Sequence, residues 1–139
     1  MSYEFFLIKP DIDPVSFTKV IKLREIQERD ESLTNADQTK DLAFMMRGEE
    51  LVASSSIYIT GNKALIQHYL VSGIVRGLGV GSIFFQNIVQ ALKLRNVEFI
   101  YEFAGCPSLA FWYKLGFTAS DEQFEVDGGQ IPVIKYIMQ

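Results

Sequence analysis

The stretch Arg76-Gly77-Leu78-Gly79-Val80-Gly81-Ser82 places three glycines at alternate positions just before a helical pattern. It follows a strand-like apolar run that ends at Val71, and the helix is predicted to extend to Arg95. Glycines let a backbone approach a ligand closely, and the free N–H groups at a helix N-terminus attract anions. The stretch therefore predicts a strand, a glycine-rich turn and a helix that together form an anion-binding site.

Two other nucleotide-binding motifs use a similar turn. A P-loop requires Lys followed by Ser or Thr after its last glycine, but Gly81 is followed by Ser82 and Ile83. A dinucleotide site would use Glu98 or Glu102, about 20 residues further on, to bind a ribose hydroxyl. However, the third glycine comes two residues after the second instead of three, and the chain has no room for a second nucleotide-binding half. A dinucleotide-binding protein would have to bind NAD.

Apolar runs and turn residues predict the remaining elements. Strands are predicted at residues 5–8, 42–46, 51–60, 64–71, 97–103, about 124–126 and 131–138, and helices from Asp13-Pro14 and over 108–115, with Gly116 as the C-cap. The polar residues 30–41 predict a loop or a short helix. Short turns make the middle strands antiparallel, whereas the long helix makes the two strands that flank it parallel. The predicted fold is one α/β (α+β) domain over residues 1–139, with a mixed, mostly antiparallel sheet of about six to seven strands flanked by helices.

Composition excludes several classes of protein. Of the 139 residues, 48% are hydrophobic and 22% are charged, as in ordinary soluble domains and unlike disordered chains. A net charge of −4 without a basic cluster argues against nucleic-acid binding. The single cysteine, Cys106, cannot form an internal disulfide, and no metal-binding motif includes it. Because neither a signal peptide nor a membrane-spanning apolar run is evident, we expect a cytoplasmic protein with no membrane partner.

Two motifs resemble those of one acyltransferase family. Arg76-Gly77-Leu78-Gly79-Val80-Gly81 matches the (Arg/Gln)-x-x-Gly-x-(Gly/Ala) signature of the GNAT superfamily, the acyl-CoA-dependent N-acetyltransferases. The segment from Ala110 to Phe117, Ala-Phe-Trp-Tyr-Lys-Leu-Gly-Phe, is similar to the family's Phe-Tyr-x-Lys-Leu-Gly-Phe segment. The order of elements also agrees from about residue 5 to residue 139, although Gly73 stands where the family often has proline.

The resemblance implies acetyl-CoA as co-substrate and no metal. Backbone amides of Arg76, Gly77, Leu78, Gly79, Val80, Gly81 and Ser82 would hold the coenzyme A pyrophosphate. The strand end at Leu70 and Val71 would pair with the pantetheine amides, where the family's sheet is splayed. Cys106, Phe111, Tyr113 and Lys114 would complete the cofactor contacts. Cys106 stands where the family often has asparagine; a thiol there could act as a nucleophile, but single cysteines are more often small buried hydrophobes.

Acetyl transfer to an amine needs a proton donor, an oxyanion donor and a base. The family's usual acid is a tyrosine and its usual oxyanion donor a backbone N–H, and the resemblance assigns these roles to Tyr113 and Val71. Tyr113 is alternatively an aromatic wall of the cofactor slot. A base is needed because amines, with a pKa of about 8–10, are mostly protonated near neutral pH.

The base is not fixed by the motifs. Where many relatives have Glu or His, this chain has Leu65 and Gln67, neither of which takes a proton. His68 is one candidate, but strand alternation turns it away from the face of Gln67 unless a bulge re-aims it. Glu102 is the other, since apolar neighbours on its strand would raise its pKa. Each is alternatively a structural residue, and ordered water could replace a base.

The predicted function is therefore transfer of an acetyl group from acetyl-CoA to a primary amine of a small molecule or protein, by direct attack in a ternary complex. The alternative is a non-catalytic acyl-CoA-binding or regulatory module, which Cys106, Leu65 and Gln67 keep open. Acidic residues 121–127 either attract a cationic amine or form a solvated loop. Dimers are common in the family, and open sheet edges would allow a homodimer.

Overall fold

The computed structural model describes residues 2–9 and 40–139, and it shows a seven-stranded sheet with helices. The strands are β1 (Glu4–Ile8), β2 (Asp41–Arg47), β3 (Glu50–Thr60), β4 (Lys63–Val71), β5 (Phe99–Phe103), β6 (Thr118–Val126) and β7 (Gly129–Ile137). The helices are α1 (Val80–Lys93) and α2 (Leu109–Leu115), and a 3-10 turn covers Gly73–Val75. The helix predicted from Asp13-Pro14 and residues 30–39 of the polar stretch lie outside the described residues.

The strand order is β1-β2-β3-β4-β5-β7-β6, and one pairing in it is parallel. Neighbouring strands joined by short turns are antiparallel, as predicted. β4 and β5 are parallel because α1 carries the chain back across the sheet between them. The prediction of a mixed, mostly antiparallel sheet is therefore confirmed.

Both helices pack on the same face of this sheet. The apolar side of α1 includes Phe84, Phe85 and Ile88, each at most 1% exposed, and α2 adds Trp112. Fully burying a side chain of this kind contributes about 1.5–3 kcal/mol. These side chains share one core cluster with residues of β2, β3 and β4, and the start of α1 lies beside the end of β4, where a Cβ on Gly81 would contact Val71. In residues 2–9 and 40–139, the helices are too short or too polar to span a lipid bilayer.

The predicted boundaries are wrong at three places. β6 begins at Thr118 instead of about residue 124, because its first residues are polar and carry no apolar alternation that would reveal a strand. β5 begins at Phe99, since Val97 still belongs to the turn, where its N–H donates to the carbonyl of Leu92 at 3.1 Å. α1 ends at Lys93, two residues before the predicted end.

β4 contains a bulge at His68, the feature named above as the condition for re-aiming this side chain. One residue of β3, Ser55, lies opposite two residues of β4, His68 and Tyr69. His68 has a φ of +52°, a left-handed conformation that is uncommon for residues other than glycine. The fully buried hydroxyl of Ser55 donates to the carbonyl of Gln67 at 2.8 Å, which adds a side-chain hydrogen bond between the two strands next to the bulge.

Replacing this hydroxyl tests its contribution to the bulge. We expect Ser55→Ala to lower the free energy of unfolding by about 1–2 kcal/mol, because the hydrogen bond between the buried Ser55 hydroxyl and the Gln67 carbonyl is lost. Urea denaturation measures the change. Ser72→Ala is the control, since the Ser72 hydroxyl makes no capping hydrogen bond, and it should change stability by less than about 0.5 kcal/mol. An equal effect of the two substitutions would contradict the role of Ser55.

Candidate functional site

β4 and β5 stop pairing about halfway along β4. Their parallel ladder ends at the pair formed by Ile66 and Glu102, whereas β4 continues to Val71. Ser72 N–H donates to the carbonyl of Val52 at 2.8 Å, so Ser72 and Val52 form a hydrogen-bonded pair of the antiparallel ladder. Because such pairs alternate, the preceding pair, Val71 and Ala53, is not hydrogen-bonded. The Val71 N–H therefore points away from β3 and into the gap that the departure of β5 leaves. The family resemblance implies an oxyanion donor at Val71; the orientation of this N–H is compatible with that role, which stays a prediction.

The glycine-rich turn presents the N-terminus of α1 to solvent. Gly77 and Gly79 have φ of +83° and +74°, and Gly79 is the N-cap of α1. Ile83 N–H donates to the carbonyl of Gly79 at 3.1 Å, and the N–H groups before it belong to the first helical turn, which lacks intrahelical acceptors. That turn contains no acidic residue. The positive end of the helix dipole and its free donors therefore suit an anion.

Gly81 lets three elements meet. A Cβ built on Gly81 would lie 3.3 Å from the ring of Phe111 and 3.7 Å from Cγ2 of Val71. The end of β4, the first turn of α1 and helix α2 are therefore in direct contact. The structure thus brings together Val71, Gly81 and Phe111, three of the residues that the sequence assigned to cofactor binding.

Tyr69 connects the three elements that meet at Gly81, and it was not among the predicted site residues. Its hydroxyl donates to the carbonyl of Gly81, and its ring packs against Phe84, Phe111 and Trp112 with centroids 4.8–5.9 Å apart. Burial raises the pKa of Tyr69 well above its usual value, so the hydroxyl stays protonated as a donor. Its spacing of two residues from Val71 was the available signal, because alternate residues of a strand share a face.

A cavity of about 330 Å³ opens beside the point where the strands separate. It is lined by Gln67, His68, Glu102, Phe103, Cys106, Val126 and Ile131. Two residues that are adjacent in sequence, Gln67 and His68, line the same cavity because of the bulge. The structure thus brings both predicted base candidates and Cys106 to one place.

Glu102 is the most strongly perturbed group of this cavity. It is 7% exposed, and its Oε1 accepts a hydrogen bond from Phe103 N–H at 2.8 Å. Burial raises the pKa of Glu102 to about 7, although that hydrogen bond acts in the opposite direction. Burial and the nearby charge of Glu102 also raise the pKa of the Cys106 thiol. A carboxyl that titrates near neutral pH can exchange a proton with an amine, whereas the raised pKa makes this thiol a slower nucleophile than an ordinary cysteine near neutral pH.

The remaining predicted residues lie apart from the cavity. Tyr113 is 45% exposed, and neither it nor Lys114 is among the described residues that line the cavity. Both lie on α2, in the turn after Phe111. The exposed residues of the glycine-rich turn are Arg76, Gly77, Leu78, Gly79 and Ser82, whereas Val80 is buried and Leu70 is half-buried. Leu65 packs with Tyr101 and Phe124 in a separate apolar cluster.

Three solved structures of acetyltransferases have a fold similar to that of this chain. The ribosomal-protein-S18-alanine N-acetyltransferase from Escherichia coli is similar with a TM-score of 0.70 and 12% identity, covering 96% of this chain and 91% of that one. A GNAT family acetyltransferase from Elizabethkingia anophelis with acetyl-CoA bound gives 0.66 and 14%, covering 96% and 95%. The PaiA N-acetyltransferase from Thermoplasma acidophilum in complex with coenzyme A gives 0.63 and 13%, covering 99% of both chains.

Sequence comparisons add no family assignment. No family sequence model matches the chain, and no curated protein matches it. The structural similarity extends over nearly the whole of both chains, so the chain has the fold of the GNAT N-acetyltransferases, and the predicted resemblance is confirmed at that level.

The burial of Glu102 gives a prediction about stability. Its pKa rises from near 4.5 in the unfolded chain to about 7 on folding, so the folded state binds more protons between these values and loses stability as the pH rises through this window. Glu102→Gln removes this loss. Relative to wild type, we expect the variant to gain about 1–3 kcal/mol of unfolding free energy between about pH 4 and pH 8.

Urea denaturation at several pH values measures this difference. Glu125→Gln, which replaces an exposed carboxylate of β6, is the control and should keep the pH dependence of the wild type. An unchanged pH dependence in Glu102→Gln would show that Glu102 does not hold a proton near neutral pH.

Proposed function

We propose that this protein is an acetyl-CoA-dependent N-acyltransferase, which transfers an acetyl group to a primary amine of a small molecule or protein. One observation carries this proposal: the free N-terminus of α1 contacts the end of β4, and the carboxyl of Glu102, with a pKa of about 7, lines a cavity at the point where β4 and β5 separate. Structural neighbours with acetyl-CoA or coenzyme A bound support the choice of co-substrate.

The residues present fit coenzyme A at two places. The amides of residues 79–82 and the dipole of α1 suit a pyrophosphate, and no acidic residue of the first turn opposes it. β5 does not pair with β4 beyond Ile66, so the edge of β4 at Leu70 and Val71 that faces away from β3 can bind the amides of the pantetheine arm as a neighbouring strand would. Both sites use backbone groups, which explains why the exposed side chains between Arg76 and Ser82 need no particular chemistry.

The chain's own groups supply the proton transfers. When bound, acetyl-CoA supplies an acetyl thioester, whose carbon–sulfur bond breaks as the new carbon–nitrogen bond forms. Glu102 takes a proton from the incoming ammonium group and leaves a neutral amine that can attack. The Val71 N–H donates a hydrogen bond to the carbonyl oxygen as negative charge develops there. Tyr113 Oη gives a proton to the departing sulfur and regains one from the acetylated nitrogen, which loses its second proton as the amide forms. The products are the N-acetylated amine, free coenzyme A and the proton that Glu102 has taken and later releases to solvent.

The glycine turn can be tested with a matched pair of variants. Gly79→Ala and Gly48→Ala both force a side chain into a left-handed conformation, with φ of +74° and +63° and no heavy atom within 4 Å of the added Cβ. Each should cost about 1–2 kcal/mol of stability. Only Gly79→Ala, at the start of α1, should weaken acetyl-CoA binding, by about tenfold or more in calorimetric titration. Equal affinities for the two variants would contradict an acetyl-CoA site at this turn.

The role of Tyr113 separates an enzyme from a binding module. We expect Tyr113→Phe to lower kcat by about 10²–10⁴-fold, because the departing sulfur loses its proton donor, with little change in acetyl-CoA affinity. A coupled thiol-release assay and calorimetry measure the two quantities. Tyr58→Phe, on β3 with its ring against Phe124, is the control and should keep full activity. Normal turnover in Tyr113→Phe would remove Tyr113 from the mechanism.

A further inference from the structure

We propose that the acceptor is a small primary monoamine on an apolar carbon skeleton without a carboxylate, and that Gln67 binds its nitrogen together with Glu102. This inference rests on the proposed function and specifies the substrate class of the same site. It is drawn from the hydrogen-bond acceptors, the walls and the charges of the 330 Å³ cavity.

The cavity contains an amide oxygen that is short of a donor. Gln67 Oε1 is buried and finds no hydrogen-bond partner in the part of the chain that the structure describes. An unsatisfied buried acceptor costs about 1–3 kcal/mol, so an N–H of a bound ligand would recover that cost. On the carboxyl of Glu102, Oε1 accepts the N–H of Phe103, and Oε2 lies outside that hydrogen bond.

A primary amine matches this pair of acceptors. It carries three N–H donors when protonated and two when neutral, so it can donate to Gln67 Oε1 and to the Glu102 carboxyl in both states. The contact with Gln67 survives after Glu102 has taken the proton, because a neutral amide oxygen needs only a donor. Gln67 is therefore a positioning residue that keeps the nitrogen in place while its charge changes.

The walls of the cavity are apolar. Phe103, Val126 and Ile131 face it, and the Phe103 ring is folded over Gly105, where a Cβ would lie 2.5 Å from the ring. The absence of a side chain at residue 105 thus allows this aromatic wall. A volume of about 330 Å³ is at the low end for small-molecule pockets. These features suit a short aliphatic or arylalkyl group.

The charges select against two common kinds of amine. Among the described residues that line the cavity there is no Lys or Arg, and His68 is its one basic side chain, so within this lining the carboxylate of a free amino acid would have no permanently charged cationic partner. Glu102 is the one carboxylate among the same lining residues, so the second ammonium group of a polyamine would lie against apolar walls without a counter-charge. A monoamine avoids both costs.

The first experiment compares three amines on the wild-type protein. They are 2-phenylethylamine, phenylalanine, which adds a carboxylate to the same skeleton, and spermidine. We expect 2-phenylethylamine to have a kcat/KM at least about tenfold higher than either of the others. Because Cys106 is the single cysteine and lines the cavity, its alkylation by iodoacetamide, followed by intact mass, reports occupancy without turnover. Only 2-phenylethylamine should slow the alkylation.

The second experiment tests Gln67 itself. Gln67→Leu should raise the KM for 2-phenylethylamine by about tenfold and abolish the protection of Cys106, because the nitrogen loses one acceptor. Gln67→Glu keeps an acceptor oxygen at this position and should retain the protection. Gln130→Leu, an exposed residue of β7, is the control for a loss of glutamine and should behave as wild type. Protection that persists in Gln67→Leu would overturn the role of Gln67.

The outcomes separate this inference from the proposed function. If acetyl-CoA binds but phenylalanine or spermidine is the better acceptor, the inference is overturned and the proposed function stands. If acetyl-CoA does not bind, the proposed function fails, and the alkylation assay still decides whether the cavity takes an apolar monoamine. If 2-phenylethylamine neither reacts nor protects Cys106, the inference is overturned.

Discussion

The separation of β4 from β5 after Ile66 and Glu102 is the constraint on which the rest of the site depends. Backbone N–H and C=O groups must be paired or solvated, so an interruption inside a sheet has to be compensated. On the side of β3, the hydroxyl of Ser55 compensates the bulge at His68. On the open side, the N–H of Val71 remains available to a ligand.

The same separation explains the unusual state of Glu102. At the last paired position of β5, its carboxyl lies beneath the opening, 7% exposed, with one hydrogen bond from the Phe103 backbone. A buried carboxylate with so few partners destabilises the folded chain above neutral pH. A paired ion would remove that cost but would also lower the pKa and prevent proton exchange near pH 7. The folded chain is therefore less stable than it would be with a paired carboxylate, but Glu102 can act as a base near pH 7.

Much of the fold followed from local sequence signals. The glycine turn, the cap at Gly116 and the antiparallel hairpins each depend on residues close together in the chain, and so they were predicted. The bulge was only an open alternative for His68, because it arises from the register between Ser55 and His68, on different strands. From the sequence, Gln67 was noted only because it stands where many relatives have a base. Its place in the cavity depends on the same register between strands, so it could not be predicted. The polar start of β6 was missed because its strand character comes from pairing with β7.

The most direct test of the acetyl-CoA site is a ¹H–¹⁵N NMR titration of the wild-type protein with acetyl-CoA. We predict that the largest amide shifts fall at two places, the first turn of α1 from Gly79 to Ser82 and the open end of β4 at Val71. Saturable shifts at both places would show that the N-terminus of α1 and the open edge of β4 bind one ligand. Shifts confined to other parts of the sheet, or none at millimolar acetyl-CoA, would contradict the proposed site.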